Sequence, residues 1–308
     1  MSSYGNIFLF KDPIQASCQK LLEGYEAGFA MGDLESMAGN LHIYAGVAVW
    51  ECGDRLTKAE EIMRIHAKRM IQYNYDNGLR NILPLLQLAL KLMGSAEDAF
   101  MTFCGISEDD FFQQEWHRKG GKTSKSIGHT TRLYLAIMRG DMALGERIYE
   151  MGKMYHKGGI LFIGSIMRAF LGGLVAFATA RYHGDNEKEM IRVAEESIST
   201  IKIWAKHSYW NFANKLFLLE AEYWFLNGNE KLARRKFGDS IAAAAKHRFK
   251  NEEGLAAQRA AIFHLHYNRK QEASSYLKHA KDCYERWGAT GLVEQIDAAM
   301  SEILEGRD

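Results

Sequence analysis

Apolar residues recur three or four positions apart along most of this chain, the spacing of helices that each bury one stripe. The clearest example is Ala273, Tyr276, Leu277, Ala280, Cys283, Tyr284 and Trp287, with Lys278, Lys281, Asp282 and Glu285 on the other side. This predicts a helix with one core face, closed by Gly288. Nearer the start, Thr57 followed by Glu60 predicts a capping box that opens a helix over Lys58 to Gln72. Ser107 before Glu108-Asp109-Asp110 predicts another cap, where the acids favour the positive end of a helix.

Turn signals separate these segments: Gly32-Asp33, Gly94-Ser95, Gly140-Asp141, Gly184-Asp185, Gly228-Asn229 and Asn268-Arg269. Each Gly or Asn can take the left-handed conformation that ends one helix, and the polar residue after it can cap the next. From Gly94 onward the separations are 46, 44, 44 and 40 residues. They exceed the roughly 34 of a tight tetratricopeptide repeat, so longer helices or connections are expected. Two tandem helix pairs repeat one pattern of bulky and small positions. Ala221, Trp224, Gly228, Ala233, Phe237 and Ser240 form the first, and Ala261, His264, Asn268, Ala273, Leu277 and Ala280 the second.

The expected fold is all-α, a tetratricopeptide-like right-handed superhelix of antiparallel helix pairs. Only Pro13 and Pro84 interrupt the 308 residues, so long helices are permitted. Residues 1–19 read as a lead segment and 20–305 as one continuous repeat domain. Between Trp116 and Gly128 the periodicity fails, and HRKGGKTSKS predicts a basic, flexible loop over 116–128.

Charge is nearly balanced, 39 basic against 38 acidic side chains, so no net field draws the protein to nucleic acid. Cys18, Cys52, Cys104 and Cys283 lie far apart, which suggests free thiols in a reducing cytoplasm. No secretory signal is legible at the start. Residues 158–180 are long and apolar, but Arg168 would sit near a bilayer centre at a cost of roughly 2.5 kcal/mol or more. Buried repeat helices explain that stretch without a membrane span.

Candidate chemistry is weak throughout. Gly121-Lys122-Thr123 has the ending of a phosphate loop, but Trp116 stands where the loop needs its first glycine and no strand pattern precedes it. His264 and His266 are two apart and cannot share one helix face as a metal pair, so His264 is expected to pack against a neighbouring helix. The remaining histidines, including His42, His66, His117, His129 and His156, show no ligand spacing. The aromatics Trp204, Tyr209, Trp210, Phe212, Phe217, Tyr223, Trp224 and Phe225 should be mostly core, with one or two on a concave face. No catalytic residue, cofactor-binding residue or metal ligand is expected.

The stretch from Ile191 to Ile296 resembles the helical-repeat region of large multidomain signalling ATPases. That family joins serine/threonine-kinase-like and AAA-type ATPase domains to repeats followed by GAF, histidine-kinase or cyclase domains. The most specific block is Cys283-Tyr284-Glu285-Arg286-Trp287-Gly288-Ala289-Thr290, and Trp204-Ala205-Lys206-His207 with Asn211-Phe212 and Leu219-Glu220-Ala221-Glu222 is a second. From about residue 20 the similarity is looser, carried by Gly32-Asp33-Leu34-Glu35 and the Gly53 to Leu56 turn. The catalytic motifs of those domains are missing here. The resemblance implies a non-catalytic protein-interaction or sensor module regulating a signalling ATPase or kinase, with a protein partner or catalytic domains in cis. Two alternatives remain open: a nucleotide-binding or phosphotransfer enzyme using the mid-chain site at Lys122, and a self-assembling structural repeat protein forming a homo-oligomer.

Overall fold

The computed structural model describes residues 10–51, 55–117, 121–152, 162–181 and 187–305. Among these residues the protein is all-α, with fifteen α-helices and no strand. In chain order they are α1 (Gln15–Ala30), α2 (Leu34–Gly46), α3 (Leu56–Gln72), α4 (Asp76–Leu92), α5 (Ala99–Cys104) and α6 (Glu108–His117). Then follow α7 (Lys122–Met138), α8 (Met142–Gly152), α9 (Phe162–Arg181), α10 (Glu187–His207) and α11 (Tyr209–Leu226). The last four are α12 (Glu230–Lys246), α13 (Lys250–His266), α14 (Lys270–Trp287) and α15 (Thr290–Glu305). A π-helical turn, Val47–Glu51, extends α2.

The turns fall where glycine and asparagine announce them. Gly32, Gly94, Gly140, Gly228 and Asn268 all have positive φ, between 55° and 75°. Asp33, Asp141 and Asn229 then accept from the backbone N–H three residues on, at 2.9–3.1 Å. Gly184-Asp185 lies outside the described residues. Further left-handed positions, Asn74, Gly105, Gly121 and Arg248, lie outside the turn signals read from the sequence. Arg248, at φ 66°, is not a residue type that announces a turn; its N–H donates to the Ala245 carbonyl at 3.2 Å.

The tandem pairs form as the pattern predicts. Ala221, Ala233, Phe237 and Ser240 are buried in α11–α12, and Ala261, His264, Ala273, Leu277 and Ala280 in α13–α14. The α14 helix ends at Trp287 with Gly288 left-handed at φ 88°.

Helices α4, α7, α9, α11 and α13 pack successively against one another or through their paired helices, and α15 returns to pack on α14 and α4. Backbone meets backbone at that return: a Cβ on Gly291 would lie 2.8 Å from the Gly94 nitrogen. The Thr290 hydroxyl donates to the Met93 carbonyl at 2.5 Å, and Gln295 donates to the Arg139 carbonyl at 2.6 Å. The array therefore closes on itself. Its accessible surface of 14199 Å² is near the roughly 13,000 Å² of a compact monomer of 35.0 kDa.

Several boundaries differ from the sequence reading. Helix α1 starts at Gln15, inside the expected lead segment, because Ile14 is buried and its N–H donates to Asn211 on α11 at 3.0 Å. Helix α3 starts at Leu56 with Arg55 at its cap and no side-chain capping bond, so the Thr57–Glu60 box does not form. Glu60 instead pairs with Arg64 at 2.6 Å. The expected loop over 116–128 is largely helical, with α6 reaching His117 and α7 starting at Lys122. Helix wins there because the Ser124 hydroxyl, buried, donates to Glu115 at 2.5 Å, and Ile127 is buried too. Within 158–180, α9 covers Phe162 onward, and no helix among the described residues is long and apolar enough to cross a membrane.

Candidate functional site

Helices α11 and α13 carry charged residues inside an otherwise apolar layer. On α11, Lys215 and Glu222 are seven residues apart and share a face; on α13, Glu252 and Arg259 do the same with the charges reversed. Lys215 Nζ lies 2.6 Å from Glu252, and Arg259 Nε lies 2.6 Å from Glu222. All four are buried.

The Lys215 cluster draws in the far end of the chain. Glu51, the last residue of the π-helical turn, accepts from Lys215 Nζ at 2.6 Å. The neighbouring Trp50 carbonyl accepts from Asn251 Nδ2 at 2.8 Å, and Asn251 also donates to the Tyr134 hydroxyl at 3.0 Å. Asn214 donates to Glu252, and its carbonyl accepts from Ser240 at 2.9 Å. Burial pushes the Glu252 carboxyl up to about 7 against the attraction of Lys215, with Glu51 adding to the rise. Burial raises Glu51 as well, while burial of Lys215 is outweighed by its two carboxylates, which hold its ammonium charged. One ammonium thus serves two carboxyls, of which one keeps its proton near neutrality. The centre is an internal lock, sealed from solvent.

The second cluster opens onto a cavity. Glu222 binds Arg181 of α9 at 2.6 Å as well as Arg259, so the three inner helices α9, α11 and α13 meet at one carboxylate. Burial alone would raise the Glu222 carboxyl, but Arg181 and Arg259 outweigh it and hold the pKa below the ordinary value. The Arg181 guanidinium stacks over Phe225, 4.4 Å from the ring centre. Arg181, Arg259 and Phe225 line a cavity of about 740 Å³, together with Ile262, Tyr267 and the Gly140-Asp141 turn. It lies at the C-terminal ends of the three inner helices, and Arg139, next to Gly140, holds Gln295 of α15. Chemically the site offers fixed guanidinium donors beside an aromatic face, a recognition surface for an anion.

A third group went unnoticed in the sequence. His279 and Cys283, four apart on α14, converge with Glu253 of α13 within 4.8 Å. His279 Nε2 lies 2.8 Å from Glu253, but Arg286 approaches the Cys283 sulfur at 3.1 Å and Glu253 at 3.5 Å. That guanidinium opposes a cation there. Burial and the Glu253 charge push the Cys283 thiol up to about 12.

The motif residues weighed in the sequence are dispersed. Lys122 and Thr123 open α7 behind Gly121, beside a cleft of about 330 Å³ that Arg80 also lines. Arg80 is already engaged by Asp76 and Glu115, each at 2.7 Å. His264 packs as expected, stacked on Tyr276 with ring centres 5.2 Å apart. Ser107 caps α6, accepting from the Asp110 N–H at 3.1 Å. Of the aromatic group, Phe212 and Phe225 are buried, Tyr209 is exposed, and the other five are half-buried. The four cluster-forming charges were missed, although Lys215 and Glu222 standing in the apolar run NFANKLFLLEAEYWFL were the available signal. Comparison with protein-family models, curated proteins and solved structures finds no match.

Proposed function

We propose that this protein is a non-catalytic sensor and protein-interaction module, built as a tetratricopeptide-like, right-handed array, that regulates a signalling ATPase or kinase in the cytoplasm. The observation that carries the reading is the closure of the array around its own chain. The inner faces of α11 and α13 are occupied by Trp50 and Glu51, so the partner docks on the outside rather than along an open groove. The arginine-lined cavity adjoins the contact between Arg139 and α15, and α15 is the element whose docking a bound ligand would bias. Coupling then needs only a ligand that prefers the docked or the undocked state.

Two other readings draw less support. A nucleotide site at Lys122 has a cleft and a helix start, but the charge of the adjacent Arg80 is already compensated by two carboxylates. Self-assembly through an open array end competes with α15, which covers α4 from within the chain.

The test is affinity capture from native cytosol with the full chain as bait, then assay of any captured ATPase or kinase with and without added chain. A change in ATP turnover that is lost with Gly291→Leu supports regulation through the closed array. Turnover that ignores the added chain contradicts it.

A further inference from the structure

We propose that the cavity at the ends of α9, α11 and α13 binds a small organic molecule carrying one carboxylate on an apolar or aromatic body. The inference deepens the sensor reading above and rests on it for its biological sense, while its chemistry rests on the cavity.

Arg259 is only 3 % exposed, yet it lines the cavity. Its Nε is committed to Glu222, which leaves the two terminal amino groups without a protein acceptor among the described residues. The fork of those terminal donors, at the cavity lining, matches a carboxylate. Glu222 holds Arg259 and Arg181 in place before any ligand arrives, so little ordering is left to lose on binding.

Two guanidinium groups against the Glu222 carboxylate leave one positive charge where a ligand carboxylate would sit. Asp141 and the C-terminal ends of three helices oppose any anion, while the N-terminal end of α8 at Met142 and Ala143 favours one, so the site accepts a monoanion at most, held at the guanidinium fork. The other walls suit an apolar body: Phe225 offers its ring, and Ile262 and Tyr267 lie beside it. A volume of about 740 Å³ is in the range of small-molecule sites.

The experiment is isothermal titration of the full chain with benzoate and indole-3-acetate, set against benzamide and inorganic phosphate. Both carboxylates should bind saturably, with benzamide and phosphate weaker by about tenfold or more. Arg259→Lys should weaken benzoate by about tenfold, because an ammonium lacks the planar fork that binds Glu222 through Nε and offers two terminal donors to a carboxylate. Ile262→Trp, which fills the cavity and leaves the ion cluster alone, should abolish binding with the circular dichroism spectrum unchanged. Benzamide binding as tightly as benzoate, full benzoate binding by Ile262→Trp, or no carboxylate binding up to on the order of 10 mM would each overturn the proposal. Hydrogen exchange along α15 separates the two claims. Carboxylate binding that leaves α15 exchange unchanged keeps the site and contradicts the sensor reading.

Discussion

Lys215 on α11 and Glu252 on α13 meet 2.6 Å apart, and seven residues further along each helix Glu222 and Arg259 meet at the same separation with the charges reversed. A slip of one helix along the other by that interval would place like charges together, so the two pairs fix the register of neighbouring repeats. Glu51 joins the first pair and Arg181 the second, which ties the early and middle helices to the same alignment.

Replacing Lys215 with Met should therefore cost about 3–5 kcal/mol, because Glu51 and Glu252 are left buried without a cation. Adding Glu51→Gln and Glu252→Gln to that variant should recover much of the loss. Urea unfolding monitored by circular dichroism measures both, and a single-variant loss below about 1 kcal/mol would show that the cluster is not sealed as described.

Stability should rise from acid pH towards neutrality. Burial depresses His42 to about 4 and His66 to about 3, so both take up protons on unfolding in acid, and stability is lost as pH falls below 6.5. Glu252 is shifted the other way, to about 7. The folded state holds its proton where the unfolded state does not, so this contribution is lost as pH rises from about 4.5 to about 7 and is constant above. Between those values it opposes the gain from the two histidines, so Glu252→Gln should make melting temperature rise more steeply with pH between about 4.5 and 7. An unchanged slope in the variant would contradict the raised Glu252 carboxyl.

The Gly94–Gly291 crossing predicts two opposite glycine effects. Gly291→Leu puts side-chain atoms where the Gly94 backbone lies and should release α15, seen as rapid hydrogen exchange over Thr290–Glu305. Gly238, in the exposed part of α12, has nothing within 4 Å of a Cβ. Gly238→Ala should stabilise by about 0.5–1 kcal/mol. Equal protection of α15 in Gly291→Leu would contradict the closure.

Helices and turns were legible because they are local. Gly140-Asp141 and Gly228-Asn229 announce themselves by residue type, and the α14 stripe by its spacing. Capping was less legible, since Thr57 could have begun α3 had Leu56 not been pulled into the core. The 116–128 segment reads as a loop because its glycines and lysines hide Ser124 and Ile127, whose burial depends on distant partners. The candidate site was least visible. The pairing of Glu51 with Lys215 spans 164 residues, and nothing in either neighbourhood names the other. The reversed charges of α11 and α13 are a sequence signal, but one that acquires meaning only when the two helices are known to be adjacent.

Cys283 should resist alkylation at pH 8 in the folded protein, because its thiol is buried and pushed up to about 12. Iodoacetamide labelling followed by mass spectrometry should modify it only after denaturation. Labelling of native Cys283 at the rate of a free thiol would mean that α13 and α14 open far more readily than their packing implies.

The closed array is the central claim, and small-angle X-ray scattering tests it most directly. A closed, compact chain of 308 residues should give a radius of gyration of about 19 Å with a bell-shaped distance distribution. A markedly larger radius with a long distance tail would describe an open superhelix, in which Glu51 and Lys215 could not be partners.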